Sequence, residues 1–556
     1  MTTQTAPAAA DTAEKRPWYL RWAHFDVWGA WGGLLLGVLS FTPSLLPRSL
    51  LFQGLVSGVL AVIGYALGSL AHWIVNYLRE KPYAPAKRST WKAFWITAAI
   101  SGVVGVALGA YWQQEVHKLV GVDPPPAISW AGIVIVTVVV FLLLLGLARG
   151  IRWIGRKVRS FLGRFIRPRA AAVIGVLAAA LVLIIGVETV TTALVDGLNT
   201  AFSARDKETD EGFDQPESAL RSGSPDSLVA WDELGRQGRK FTAGGPTVAQ
   251  LDEFSGGGAI EPIRTYVGLR SADSAEERAQ LALDELVRAG GFSRDVLVVA
   301  TTTGTGWLDP NGVDALEYVH NGNSAIVGLQ YSYLPSWISF LVDQAKAKES
   351  GRLLFDAVYG KWASLPADSR PELLVFGESL GSFGGEAAFS GLEDIRNRTN
   401  GVVWAGPPNS NTLWRQWTDA REEGSPEIRP VYRAGEVVRW SLNEAQATED
   451  SGWPRPRAMY LQHASDPIVW WSPDLLLTRP DWLSEPRGED VSDRVVWMPL
   501  VTFFQVSADM AIGTTVPGGH GHSYAGEFAG AWATVSAPES WEDADTERLA
   551  ELLNNR

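Results

Sequence analysis

The sequence predicts two structural classes in one chain, an N-terminal α-helical membrane domain and a C-terminal α/β domain with a mostly parallel sheet. Three observations support this division. Long apolar segments fill residues 1–195, short strand patterns alternate with helical patterns beyond residue 256, and the net charge changes from +11 in the first part to −24 in the remainder. We therefore expect an N-terminal tail over residues 1–25, a transmembrane domain over 26–195, a linker and domain edge over 196–255, and the α/β domain over 256–556.

The membrane domain contains five apolar segments that are each close to or longer than the ~20 residues needed to cross a bilayer. They cover residues 27–42, 50–78, 91–112, 128–147 and 170–194. We expect about five transmembrane helices, and the first, which is the shortest, could form a tight hairpin with the second. Glu188 in the fifth segment has two interpretations, either a functional intramembrane carboxylate or a residue near the outer interface or bonded to a neighbouring helix.

Basic residues in the predicted loops indicate the orientation of these helices. The N-terminal tail and the four successive loops contain 3, 1, 5, 1 and 8 Lys and Arg residues. Cytoplasmic loops are enriched in Lys and Arg, so this alternation places the N-terminus and the two basic loops in the cytoplasm. Five crossings then place the α/β domain outside. The expected location is the plasma membrane, with a multi-pass topology and an extracytoplasmic C-terminal domain.

Composition excludes several kinds of function. The chain contains no cysteine, which excludes disulfides and thiolate chemistry. The acidic C-terminal part argues against a nucleic-acid partner, because phosphate binding requires clustered cations. The polar linker reads as a tether that packs loosely on the domain edge. Its basic residues Arg236, Arg239 and Lys240 are interpreted as a solvated loop or as a contact with lipid headgroups.

Beyond residue 256, strand and helix patterns alternate. Strands are predicted over residues 263–269, 295–301, 324–330, 373–376, 401–404 and 459–462, and one clear helix over 275–289. Strands separated by helices of about 10–15 residues predict a parallel sheet covered on both faces. Residues that carry chemistry lie beyond the carboxyl ends of the strands in such a sheet.

The stretch Gly377-Glu378-Ser379-Leu380-Gly381 predicts a nucleophilic serine between a strand and a helix. Glycines flank such a serine because the strand and helix backbones almost touch at the turn. The turn exposes the serine hydroxyl and leaves the Leu380 N–H free to bind a developing oxyanion. The Gly-rich loop after the strand at 295–301 is predicted to supply further oxyanion donors from Gly304 and Thr305, with Thr303 beside the substrate.

A serine nucleophile requires a base and a carboxylate that orients this base, in the chain order serine, acid, histidine. Asp466, just past the last predicted strand, is the preferred acid, and Asp474 and Asp481 are alternatives in polar surroundings.

The base is predicted in the Gly-rich loop that contains His520 and His522. His522 is preferred because it directly precedes a predicted helix cap at Ser523, and the other histidine would contact the base or the substrate. A metal site made from the two histidines is a weaker interpretation because no nearby acidic cluster completes a ligand set. We predict no metal and no cofactor.

Several motifs together resemble a known family. They are TTTGTGWLDP, LQYSYLPSWISFL, FGESLGSFGGEAAF, WAGPPNSN and PGGHGHSY, with FTPSLLPRSL between the first two apolar segments. The chain resembles the α/β-hydrolase superfamily and, within it, a bacterial, chiefly actinobacterial, family of multi-span membrane proteins with a C-terminal hydrolase domain. The resemblance implies the α/β-hydrolase fold and a hydrolase site of Ser379, Asp466 and a histidine, and it leaves the substrate open. The HGGG motif of many lipases is absent, so the oxyanion assignments rest on position.

These observations predict a membrane-anchored serine hydrolase (esterase or lipase) that cleaves acyl ester or thioester bonds of envelope lipids. Membrane lipids are the expected partners because a tethered site meets them at high effective concentration. The aromatic residues Tyr331, Tyr333 and Trp337 either line an acyl pocket or pack a helix against the sheet. An acyltransferase that uses the same acyl-enzyme is the nearest alternative. A non-catalytic transporter or scaffold is the alternative from another class.

Overall fold

The computed structural model describes residues 25–80, 86–126, 129–449, 452–539 and 541–556 of the 556-residue chain. The predicted N-terminal tail, with its three basic residues, lies outside the described residues except for residue 25. The chain forms two compact units. The first contains the described residues within 1–41, 53–107 and 128–187, and the second those within 42–52, 108–127 and 188–556.

Long apolar helices build the first unit and extend from it. They are α1 (Val27–Leu39), α2 (Leu50–Leu78), α3 (Arg88–Leu119), α4 (Ser129–Leu162) and α5 (Pro168–Arg205). Among the described residues, α2 to α5 are long and apolar enough to cross a membrane. α1 has 13 residues, which span about 20 Å at 1.5 Å per residue, short of a hydrocarbon core of about 30 Å. The described chain therefore has four candidate spans where the sequence predicted about five.

The expected close pairing of the first two helices is present. Gly32 on α1 faces Gly64 on α2, and a Cβ on Gly32 would lie 2.2 Å from the Gly64 carbonyl oxygen. The absence of side chains at both positions allows the two backbones to approach. On α5, the side chain of Glu188 is exposed.

A seven-stranded parallel sheet in the order β1-β3-β2-β4-β5-β7-β6 forms the centre of the second unit. Its strands are β1 (Ile263–Val267), β2 (Val296–Thr301), β3 (Ser324–Leu329), β4 (Glu372–Glu378), β5 (Gly401–Ala405), β6 (Val438–Ser441) and β7 (Arg457–Leu461). Six strands match the predictions within a few residues. The edge strand β6 was missed because its four residues, VRWS, do not form an apolar run.

Helices follow most of the strands and cover the sheet. They are α6 (Gly235–Ala243), α7 (Val248–Ser255), α8 (Ala275–Arg288), α9 (Pro310–Val319), α10 (Ser336–Val342), α11 (Gln344–Ser364), α12 (Leu380–Glu386), α13 (Leu392–Arg398), α14 (Thr412–Asp419), α15 (Glu444–Ala447), α16 (Pro467–Trp470), α17 (Val501–Met510), α18 (Glu527–Ser536) and α19 (Asp543–Asn554). The predicted helix over 275–289 corresponds to α8. A capping box formed by Ser274 and Glu277 lies at its N-terminus.

The expectation of a loose linker over residues 196–255 is wrong. The main hydrophobic core includes four of its side chains, Val229, Leu234, Phe241 and Leu251. Arg239 is 1% exposed and donates to the Asp206 carbonyl at 2.7 Å. Arg236 and Lys240 both bind the carboxylate of Asp210. Neither the solvated-loop nor the lipid-contact interpretation fits this basic cluster, because the protein itself pairs its cations.

The strand order brings the predicted site residues to one edge of the sheet. β2, β4, β5 and β7 are successive neighbours, and their carboxyl ends lead into the Gly-rich loop, Ser379, the WAGPPNSN loop and Asp466. Because all four strands are parallel, these segments meet at the same edge.

Candidate active site

Ser379 occupies a strained turn between β4 and α12. Its backbone has φ +53° and ψ −124°, a conformation that is costly for a residue with a Cβ. A Cβ on Gly377 would lie 2.5 Å from the Gly381 carbonyl, and one on Gly381 would lie 2.3 Å from the Thr301 carbonyl oxygen. The two glycines are therefore required by close backbone packing, as the sequence predicts. The Ser379 N–H donates to the Ala405 carbonyl at 2.9 Å and ties the turn to β5.

Asp466 holds the imidazole of His522. The His522 Nδ1 lies 2.7 Å from Asp466 Oδ2, and the Tyr524 hydroxyl donates to the same oxygen at 2.6 Å. The other carboxylate oxygen accepts the Ile468 N–H at 2.8 Å, so Asp466 also caps α16. Asp466 is fully buried. Because Nδ1 is bonded to this carboxylate, Nε2 is the nitrogen available for proton exchange.

Ser379 and His522 line one cavity of about 360 Å³. Its other lining residues are Thr303, Thr305, Trp307, Pro335, Ser336, Trp337, Phe340, Ile468, Met510, Ala511, Gly513 and Thr514. Among the described residues, no Asp, Glu, Lys or Arg lines this cavity. In the part of the chain that the structure describes, Nε2 of His522 has no hydrogen-bond partner.

His520 and His463 have other environments. The His520 side chain is 27% exposed, and its Nδ1 lies 4.0 Å from Asp490 outside the Ser379 cavity. His463 is buried, with Nε2 2.6 Å from Glu527. Burial lowers the pKa of His463, but the Glu527 carboxylate outweighs this effect and raises the pKa to about 9. The fold therefore brings His522, of the two predicted candidates, to the serine. The preference for it rested partly on a wrong cap, because α18 begins at Glu527.

The predicted oxyanion loop has a defined turn. The Gly306 N–H donates to the Thr303 carbonyl, and the Thr303 N–H donates to the Trp307 carbonyl, both at 2.9 Å. Thr303 and Thr305 line the Ser379 cavity. Gly304 instead packs against the backbone of Leu334. A Cβ on Gly304 would lie 2.3 Å from the Leu334 carbonyl oxygen. Leu380 is the first residue of α12, so its N–H has no acceptor within the helix.

The three aromatic residues that the sequence predicts near the substrate have different environments in the structure. Trp337 lines the Ser379 cavity and is 56% exposed. Tyr331 is 3% exposed and belongs to a small buried cluster with Phe340 and Phe383. Tyr333 lines a different cavity. Tyr331 and Tyr333 are therefore not among the described residues that line the Ser379 cavity.

A buried carboxyl group that is not among the predicted site residues, Glu378, lies near His522 and is paired with the buried Asp309. A Glu378 oxygen is 3.9 Å from His522 Nε2, and the Glu378 side chain is hydrogen-bonded to Asp309. Burial raises the pKa of Glu378 well above its usual value, and Asp309 and Asp466 raise it further. Burial and the neighbouring carboxyl groups therefore favour the neutral form of Glu378. The position of Glu378 directly before the serine was the signal that could have identified it.

The WAGPPNSN motif places two further groups at the site. Gly406 has φ +53°, and a Cβ there would lie 2.2 Å from the His522 ring, so only glycine leaves room for the imidazole. Asn411 donates to Glu386 of α12 at 2.9 Å, and the Tyr460 hydroxyl donates to the same carboxylate at 2.6 Å. The buried Glu386 thus connects the loop after β5 and strand β7 to the helix that follows Ser379.

We predict that Glu378→Gln changes the pH dependence of stability. The raised pKa means that the folded protein binds this proton more tightly than the unfolded chain, whose Glu titrates at about 4.3. Wild-type stability therefore falls as pH rises above that value, whereas a neutral Gln avoids this loss. The melting temperature of the variant relative to wild type should increase from pH 5 to pH 9. Glu393→Gln, at an exposed position, is the control, and a pH-independent difference for Glu378→Gln would contradict the assignment.

Comparisons with known proteins agree with this geometry. The model of an alpha/beta-hydrolase family matches residues 263–549, which include the whole sheet and all the residues of the site. The model of an alpha/beta-hydrolase family N-terminus matches residues 41–246. No curated protein and no solved structure matches the chain. With more than half of its length covered by the first match, the chain belongs to this α/β-hydrolase family.

Proposed function

We propose that the protein is a membrane-anchored serine hydrolase that cleaves acyl ester or thioester bonds of envelope lipids. One observation carries this proposal. Ser379, on its strained turn, shares a cavity with the imidazole of His522, whose other nitrogen is bonded to the buried carboxylate of Asp466. A nucleophile, a base and a group that orients the base are the parts required for acyl transfer through a serine.

The reaction proceeds through an acyl-enzyme. Ser379 Oγ attacks the acyl carbonyl carbon while His522 Nε2 accepts the hydroxyl proton, and Asp466 stabilises the resulting imidazolium. The amides of Leu380 and Thr305 are the proposed donors to the oxyanion, whereas Gly304 does not line the cavity. The C–O or C–S bond then breaks, and Nε2 donates its proton to the leaving alcohol or thiol. Water, deprotonated by His522, attacks the acyl-enzyme, releases the carboxylic acid and restores the Ser379 hydroxyl.

The lining of the cavity favours a neutral, apolar acyl group. Trp307, Trp337, Phe340, Ile468 and Met510 are large apolar residues in its lining. The lining offers no Lys or Arg to pair with a carboxylate on the substrate. Burying an unpaired charge there would be costly. The four candidate spans add the second argument, because an anchor in a membrane would give the site a high effective concentration of lipids.

We also propose that the second compact unit, which contains the sheet and is called the hydrolase unit below, is extracytoplasmic. Residues 42–52 and 108–127, at one end of α2, α3 and α4, group with the hydrolase unit. The other ends of α2 to α5, with the residues that join them, contain the five and the eight basic residues of the second and fourth predicted loops. Because basic loops remain in the cytoplasm, the hydrolase unit belongs on the opposite side of the membrane.

Labelling with a fluorophosphonate tests the catalytic assignment. The full-length wild-type protein should react, and Ser379→Ala should not. His522→Asn should lower the labelling rate by at least about 1,000-fold, because it removes the base. His520→Asn is the matched control and should remain within about twofold, since it changes a residue outside the cavity. Wild type that reacts no faster than Ser379→Ala would support the non-catalytic scaffold instead.

Substrate selectivity tests the proposed acyl class. Hexanoyl esters should be hydrolysed at least about tenfold faster, by kcat/KM, than succinyl esters of the same alcohol, because an unpaired carboxylate is disfavoured in the cavity. The same assay with an added long-chain alcohol measures acyl transfer and distinguishes the acyltransferase alternative. Equal rates for the neutral and the charged acyl groups would contradict the proposed substrate class.

A C-terminal reporter tests the topology. Alkaline phosphatase, which is active only outside the cytoplasm, should be active when fused after Arg556. A fusion in the basic loop between α4 and α5 should be inactive and serves as the control. The opposite pattern would place the hydrolase unit in the cytoplasm.

A further inference from the structure

The segment between α1 and α2, residues 42–49, packs into the hydrolase unit. Leu45 and Leu46 are 1% and 0% exposed and belong to the main hydrophobic core of that unit. Leu46 Cδ1 lies 3.4 Å from the position that a Cβ on Gly521 would occupy. This segment carries most of the FTPSLLPRSL motif, to which the proposed chemistry gives no role, and it lies beside the residue that precedes His522.

A buried ion pair attaches this segment to α17. Arg48 Nε lies 3.1 Å from Asp509 Oδ1, and both side chains are 0% exposed. The other Asp509 oxygen accepts the Leu45 N–H at 3.1 Å and the Ser44 hydroxyl. A buried carboxylate is stable only when cations or donors surround it. The residues of segment 42–49 therefore fix the carboxyl end of α17.

The end of α17 leads directly into the wall of the Ser379 cavity. Met510, Ala511, Gly513 and Thr514 line this cavity. The His522 N–H donates to the Gly513 carbonyl at 2.8 Å. A displacement of Asp509 would therefore move both the cavity wall and the backbone that carries His522.

A second ion pair between an N-terminal segment and the hydrolase unit lies away from this wall. Glu115, near the end of α3, binds Arg494 at 3.1 Å and the Ser492 hydroxyl at 2.8 Å. Arg494 is 53% exposed, and none of these residues lines the Ser379 cavity. This pair gives a matched control for effects of docking alone.

We propose that Arg48 and Asp509 are positioning residues of the hydrolase site, and that segment 42–49 completes the site by holding α17 and the turn that carries His522. The inference rests on the proposed serine-hydrolase function. Segment 42–49 would then contribute to the rate of acyl transfer, in addition to connecting α1 and α2.

The test compares variants of the full-length protein in detergent, at a temperature below their unfolding transitions. Arg48→Met should lower the fluorophosphonate labelling rate and the kcat for a hexanoyl ester at least about tenfold, since small misplacements of a base are costly. KM should change less than kcat, because the acyl-binding surface far from α17 is retained. Arg48→Lys keeps the charge and should recover part of the rate; it also serves if Arg48→Met does not fold. Arg494→Met should remain within about twofold of wild type.

Each outcome separates this inference from the proposed function. Labelling of Arg48→Met at the wild-type rate would overturn the inference alone. Equal losses in Arg48→Met and Arg494→Met, or a lower melting temperature with unchanged kcat, would show a purely structural role and would also overturn it. Wild-type protein that does not react at Ser379 would overturn the proposed function and this inference together.

Discussion

The close approach of β4, α12 and β2 around Ser379 is the constraint on which the site depends. Gly377 and Gly381 allow these backbones to come so near that neither position has space for a Cβ. The serine between them has a positive φ, and the surrounding sheet supplies the stability that holds it there. The loops that end β5 and β7 are arranged around this turn, because those strands are the next neighbours of β4 on one side.

Buried polar groups then fix the parts of the site relative to one another. Asp466 accepts hydrogen bonds from His522 and Tyr524, and Glu386 accepts them from Asn411 and Tyr460. Each carboxylate joins segments that are far apart in the chain. A buried hydrogen-bonded carboxylate is costly to leave unsatisfied, so such groups specify one arrangement of the loops. The segments that Asp466 and Glu386 connect include several of the motifs that carry the family resemblance.

The sequence predicts local features well and long-range features less well. Each of the six strands and the serine turn follows from a pattern within one short segment. The acid–histidine pair follows from the chain order of two such segments. β6 has too few residues to show a period, and α1 is too short to cross a bilayer. The burial of Arg239 and the pairing of Arg48 with Asp509 depend on partners that the fold supplies. The aromatic pattern of Tyr331 and Tyr333 does not distinguish an acyl pocket from packing, and the fold places Tyr331 in a buried cluster and Tyr333 in another cavity.

The pairing of residues 42–49 with α17 also bears on the order in which the molecule folds. The Leu45 amide and the Asp509 carboxylate that bind each other are 464 residues apart. Contacts of this kind form late, because a long loop must close before they stabilise anything. During synthesis, residues 42–49 are made long before α17. Leu45 and Leu46 therefore lack these packing partners until almost the whole chain has been made. The core of the second unit is therefore completed only when a segment from near the start of the chain packs against a helix made near its end.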